Sequence, residues 1–245
     1  MASLKDLRDR IGSVKNTRKI TSAMKMVAAA KLRRAQDQAE ASRPYAERME
    51  RMLNDLAARS SSDLPLIAGT GKTDTHMIIL GTADRGLCGG FNTNLVKETR
   101  RMTAELQSAG KQVKIYCIGK KGAQALGREF GDLIVKRVED LDKPALSYSK
   151  AGAIADDILA MFDDGAFDAA TLIYARFQSA ISQVVTRQQL IPFAFDAEHG
   201  AADADEADDS AYDFEPSEDA ILAELLPRNV GVQVFKALLE NAASE

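Results

Sequence analysis

The first 58 residues constrain this chain more than anything that follows them. Between Ser3 and Arg43 there is no proline and only one glycine, Gly12, and the rest is mostly Ala, Lys, Arg, Leu, Met and Gln, residues of high helix propensity. A helix over that stretch spans about 60 Å at ~1.5 Å per residue. A compact globule built from 245 residues has a diameter on the order of 45 Å. Residues 1–58 therefore read as a shaft helix that projects from its own fold.

The apolar positions say what the shaft touches. Leu4, Leu7, Ile11 and Val14 follow a three-four spacing, the stripe slips to Ile20, Met24 and Val27, and it resumes at Leu32, Ala35 and Ala39. Such a stripe predicts one seam of a coiled coil, facing a partner helix. The other faces carry Lys5, Arg8, Arg10, Lys15, Arg18, Lys19, Lys25, Lys31, Arg33 and Arg34 against only Asp6 and Asp9. A charged helix face is most often simply solvated, but an imbalance this local predicts an acidic partner. Pro44 cannot donate to the carbonyl of Glu40, so a bend or local break is expected there. Tyr45, Met49, Met52, Leu53 and Leu56 then restore the helical spacing.

Residues 59–75, with three serines, Pro65 and the run GTGK, read as a linker. A phosphate-loop reading of Gly71, Lys72 and Thr73 fails, because the first glycine of that motif would fall at Leu66. Residues 76–195 alternate apolar runs with helical patterns. Strands are expected over 77–83, 113–118, 133–138 and 169–177, helices over 91–109, 120–130 and 149–162, and an extended hairpin partner over 182–195. The fold class is α/β, a long N-terminal helix plus a Rossmann-like doubly wound domain. Residues 196–216 are rich in Asp, Glu and Ala and predict a flexible acidic loop. Ser217 caps a helix carrying Ile221, Leu222, Leu225 and Leu226, Pro227 is expected to end it or open the next, and Val230, Val234, Phe235, Leu238 and Ala242 continue a helical pattern to Glu245. That pattern meets no stop signal, so 217–245 reads as a helix followed by the start of a further shaft helix, appearing truncated. Its continuation is expected to supply the antiparallel partner of the seam from Leu4 to Ala39.

No catalytic constellation emerges. His76 and His199 lie far from any nucleophile or metal-ligand spacing, and Cys88 and Cys117 read as reduced thiols without metal or redox spacing. The loop from Asp84 to Asn92 lies where a dinucleotide fold binds phosphate, and Gly86, Gly89 and Gly90 open its backbone. Cys88 nevertheless takes the place of the second glycine of that fingerprint, and Lys120 and Lys121 stand where a ribose-binding acid belongs. The reading adopted is a tight turn in which Asp84, Arg85, Gly86, Gly89, Gly90 and Asn92 make turn or subunit contacts, with no cofactor and no metal. No nucleic-acid partner is expected, because the basic stretch has no aromatic residue before Tyr45. No apolar run approaches the ~20 residues of a membrane helix.

Three stretches carry a family resemblance. IGSVKNTRKITSAMKMVAAAKLRRA at 11–35, ADRGLCGGFN at 83–92 and YDFEPSEDAILAELLPR at 212–228 resemble, in order, motifs of the gamma subunit of F-type ATP synthases. The resemblance implies a noncatalytic central-stalk rotor. Its shaft would turn inside a ring of alpha and beta subunits, and its foot would bind the epsilon subunit and the membrane c-ring. It also leaves room for an inhibitory subunit, and places the complex at the cytoplasmic face of a bacterial inner membrane. It puts Ile20, Met24, Lys25 and Val27 against the acidic lever of the beta subunit.

Overall fold

Strand-forming residues in the middle of the chain build the platform on which the shaft stands. The computed structural model describes residues 3–59, 64–194 and 217–245. Helix α1 runs Leu4–Arg59 and a four-residue turn α2 occupies Pro65–Ala68. There follow β1 (Thr75–Gly81), α3 (Phe91–Ser108), β2 (Gln112–Ile118), α4 (Lys120–Phe130), β3 (Ile134–Val138), α5 (Tyr148–Asp163), β4 (Ala169–Ser179), β5 (Ser182–Ile191) and α6 (Glu218–Ser244). The sheet order is β3-β2-β1-β4-β5. The first four strands are parallel and β5 returns antiparallel to β4.

Strand β1 shows why the layers form. Met77, Ile78, Ile79 and Leu80 are all fully buried, because successive side chains of a strand point to opposite faces. Met77 and Ile79 enter a core with α5 and α6, whereas Ile78 and Leu80 enter a second core with α3 and α4. The middle of the chain is thus a three-layer sandwich of helices, sheet and helices. The turn from β2 into α4 is close-packed at Gly119. Its φ is +92°, and a Cβ there would fall 2.0 Å from the Thr82 carbonyl oxygen.

Helix α1 opens on Ser3, whose hydroxyl accepts from the Asp6 amide while Asp6 Oδ2 accepts from the Ser3 amide, a reciprocal cap. Further along, Leu32, Ala35, Ala39, Ser42, Ala46, Met49, Leu53 and Leu56 alternate by three and four and are buried or half-buried. Ala39 packs with Leu239 and Ala243, and Leu53 and Leu56 pack with Leu222 and Leu226. Since α1 ascends as α6 descends, the two helices are antiparallel.

Some expectations need correction. The helix does not break at Pro44, which lies inside α1, and Pro227 neither ends nor opens a helix but lies inside α6. In each case the residue four positions earlier, Glu40 or Ala223, is exposed, so water can serve the carbonyl that proline leaves without a donor. The linker is shorter than 59–75, since α2 and the first residue of β1 fall within it. The extended segment expected over 182–195 stops at Ile191, ahead of Pro192, which has no amide to donate to a ladder. Finally, the antiparallel partner of Leu32, Ala35 and Ala39 is α6 itself. The acidic loop at 196–216, with His199, lies outside the described residues.

Candidate functional site

Every residue from Ser3 to Lys31 is exposed, about 43 Å of helix at ~1.5 Å per residue. The bare stretch includes Leu4, Leu7, Ile11, Val14, Ile20, Met24, Met26 and Val27, all large and apolar. Continuing the buried seam downward from Leu32 by alternate steps of four and three meets Ala28, Lys25, Thr21, Arg18, Val14, Ile11, Leu7 and Leu4. The seam is therefore apolar near the tip, polar at Arg18, Thr21 and Lys25, and apolar again where the foot begins. Over that polar interval Ile20, Met24 and Val27 each sit one residue earlier, which turns them about 100° around the helix. They are 60%, 55% and 58% exposed. Lys25 and Ala28 face a groove of about 520 Å³, shared with Arg85, Asp142 and Ser244. Of the residues expected to meet a neighbour, Lys25 thus lines the groove beside the foot, while Ile20, Met24 and Val27 do not.

The glycine loop stands on the other wall of that groove. Asn92 folds back into it: Asn92 Oδ1 accepts from the Ala83 amide at 3.0 Å, and Nδ2 donates to the Arg85 carbonyl at 3.3 Å and to Cys88 Sγ at 3.0 Å. Asp84 accepts from the amides of Lys120 at 2.9 Å and Asp140 at 2.8 Å, and Thr82 Oγ1 accepts from the Gly122 amide at 2.9 Å. The amides at the start of α4, which could otherwise bind an anion, already have protein partners. Asp84, Asp140 and Asp142 bring carboxylate oxygens within 4.8 Å of one another, but Asp140 is paired with Lys143 at 2.6 Å and Asp142 with Arg85 at 3.6 Å. The Lys143 ammonium holds the Asp140 carboxyl below its ordinary range. Gly89 adopts φ +58°, and Leu87, at φ +67° and 98% exposed, projects from the loop. Burial pushes the Cys117 thiol up to about 11, so at neutral pH it is not a nucleophile.

Shaft and foot meet through residues that sequence spacing did not single out. Strand β4 pairs with β1 as far as Ile173 opposite Leu80 and then runs on to Ser179. On the overhang, the Ala175 amide donates to Asn241 Oδ1 at 2.8 Å, and the Ala175 carbonyl accepts from Ser244 Oγ at 3.0 Å. The Phe177 amide donates to Glu240 Oε2 at 2.8 Å, and the Phe177 carbonyl accepts from Arg43 Nη2 at 2.9 Å. Arg43 also donates from Nε to Glu240 Oε1 at 2.7 Å and from Nη2 to Oε2 at 3.0 Å. Glu240 is 1% exposed. Gly81 makes room for this arrangement, since a Cβ there would fall 2.5 Å from Asn241 Nδ2. A buried Glu-Asn pair within an apolar helical pattern was the available sequence signal.

A rod that outreaches its own globule, offers apolar and basic faces, and is bolted to a three-layer foot defines a class: a shaft-and-foot subunit built to stand among other chains. The ATP synthase family profile matches residues 3–245. Over the whole of this chain, the ATP synthase gamma chain of Rhodospirillum rubrum is 55% identical, with 84% of the relative covered, and that of Paracoccus denitrificans is 56% identical, with 83% covered. Among solved structures, a chain of the Tetrahymena thermophila mitochondrial ATP synthase central stalk and c-ring superposes with a TM-score of 0.66 at 28% identity, covering 92% of this chain and 93% of that one. A chain of the Euglena gracilis mitochondrial ATP synthase rotor shares the fold, with a TM-score of 0.59 at 22% identity, covering 97% and 84%. This chain belongs to the ATP synthase gamma-chain family.

Proposed function

We propose that the chain is the noncatalytic rotor of a proton-driven ATP synthase, carrying c-ring rotation to catalytic beta subunits through unequal contacts of α1. The observation that carries the reading is the set Ile20, Met24 and Val27, which lies off the seam and is more than half exposed on a helix that outreaches its own globule. Exposed apolar surface on this scale marks an interaction site. The Tetrahymena relative belongs to a central stalk with a c-ring, which supports placing the foot beside the c-ring; the family resemblance adds an epsilon subunit at the foot and alpha and beta subunits around the shaft. Among the described residues no helix is long and apolar enough to cross a membrane. Membrane attachment, at the cytoplasmic face, then runs through partners.

Rotation would act by differential binding. A contact shifts a neighbour's conformational equilibrium only by the difference in its affinity for the two states, and reversing a 1:99 population takes ~5.5 kcal/mol. Ile20, Met24 and Val27 present apolar area on one side of the shaft, and Lys25, about 100° round the helix on the groove side, supplies charge toward an acidic lever from a different face. An exposed ion pair contributes only ~0 to 1 kcal/mol, so the apolar face must supply most of the difference.

The test is Val27→Pro in a reconstituted synthase. Proline inside a helix costs about 3 kcal/mol. Pro44 is tolerated where α6 and β4 anchor α1, but Val27 is exposed. Coupled ATP synthesis should be lost while the foot keeps its thermal transition. Undiminished synthesis would refute the rotor reading of α1.

A further inference from the structure

We propose that the overhang of β4 at Ala175–Phe177 is the torsional joint of the rotor, with Arg43, Glu240, Asn241 and Ser244 as positioning residues that fix the angle between shaft and foot. The inference rests on the rotor reading and specifies where torque passes.

An unpaired strand edge is ordinarily blunted by charge, a bulge or another element. Here the N–H and C=O groups of Ala175 and Phe177 are instead bonded, one by one, to side chains of α6 and α1. On its other side the same stretch still pairs with β5, to Phe177 opposite Gln183. The anchor strand therefore cannot shift without disturbing the sheet. Two kinds of contact join shaft to foot. The seam from Leu32 to Leu56 is apolar except at Ser42, and apolar burial has no directional preference. The edge bonds lie between 2.7 and 3.0 Å and weaken steeply off axis, so they define a rotation angle that the seam alone does not.

Arg43 has a distinct place among the four. It is the only one on α1, and its planar fork reaches Glu240 and the Phe177 carbonyl together. Lysine keeps the charge but lacks the planar fork that meets both carboxylate oxygens of Glu240 in a fixed geometry. Deleting one partner alone would strand a buried charge, whereas neutralising both avoids that penalty. R43M/E240Q is the informative variant, because the introduced amide oxygen can still accept from the Phe177 amide while the tie to α1 is cut.

The experiment places spectroscopic labels at Gln38, within the packed part of α1, and Gln107, both exposed, and measures the distance distribution in the isolated chain by pulsed electron resonance. In R43M/E240Q the width should at least double at an unchanged melting transition, with R43K intermediate. An unchanged width overturns the joint, and if the double variant does not fold, R43K decides by the same criterion. In the assembled synthase turning under ATP, a probe on the foot should show at least a doubled angular spread about its dwell positions. An unchanged spread likewise overturns the joint. A wild-type complex that assembles without turning this chain would sink the rotor reading, and the isolated-chain width would still decide the joint.

Discussion

His76 sits at the start of β1, with Nε2 2.8 Å from Thr171 Oγ1. Burial, aided by the Lys111 charge, pushes its pKa down to about 4, against about 6.5 in an unfolded chain. Between those values the unfolded state binds more protons, so stability rises with pH through the window and falls as pH drops from 6.5 toward 4. Between pH 6.5 and 5 the loss is at most ~2 kcal/mol. His76→Gln should flatten that limb in urea titrations at a series of pH values, and an unaltered limb would refute the assignment. At the same scale, the joint residues show what the sequence could not disclose. Glu240 and Asn241 interrupt an apolar pattern, but their partners exist only because β4 outruns β1 by several residues. Strand lengths relative to one another are a tertiary quantity, invisible to local spacing.

Within α1 two halves of one helix answer to different environments. Leu53 is fully buried against Leu222 and Leu226, and Leu53→Ala should cost about 3 kcal/mol in chemical unfolding of the isolated chain. Leu7 is 46% exposed, so Leu7→Ala should change that stability by less than about 0.5 kcal/mol while weakening assembly. Equal losses at the two positions would contradict the division. The seam was legible as a three-four stripe from Leu32 to Ala39, and its slip at Ile20 was legible too. The tolerance of the two prolines is not legible locally, because the packing that offsets their intrinsic cost is tertiary. Pro44 adjoins Arg43, which is bonded to the sheet, and Pro227 adjoins Leu226, which is buried against α1.

For the whole molecule, stability should be graded along the shaft. Lone helices are marginal in water, and a segment with few buried contacts opens at little cost. Amide hydrogen exchange in the isolated chain should thus be fast over residues 4–31 and slow in β1 and β4, with the fast segment gaining protection once the synthase assembles. Slow exchange there in the isolated chain would mean that the shaft has support of its own. The alternation of strands and helices announced the doubly wound foot, because each buried strand is a short apolar run and each helix keeps its own period. What the foot does with its glycine loop was less legible, since Asn92 folds back on the Ala83 amide and Asp84 reaches out of the loop to the Lys120 and Asp140 amides.

The single-residue offset at Ile20, Met24 and Val27 has a consequence beyond contact area. It gives the rod a bearing, so that turned by a third of a circle it no longer superposes on its own chemistry. In the proposed rotor, identical neighbours closed around it would be kept out of phase, the order of their turns written as an angle in a helix.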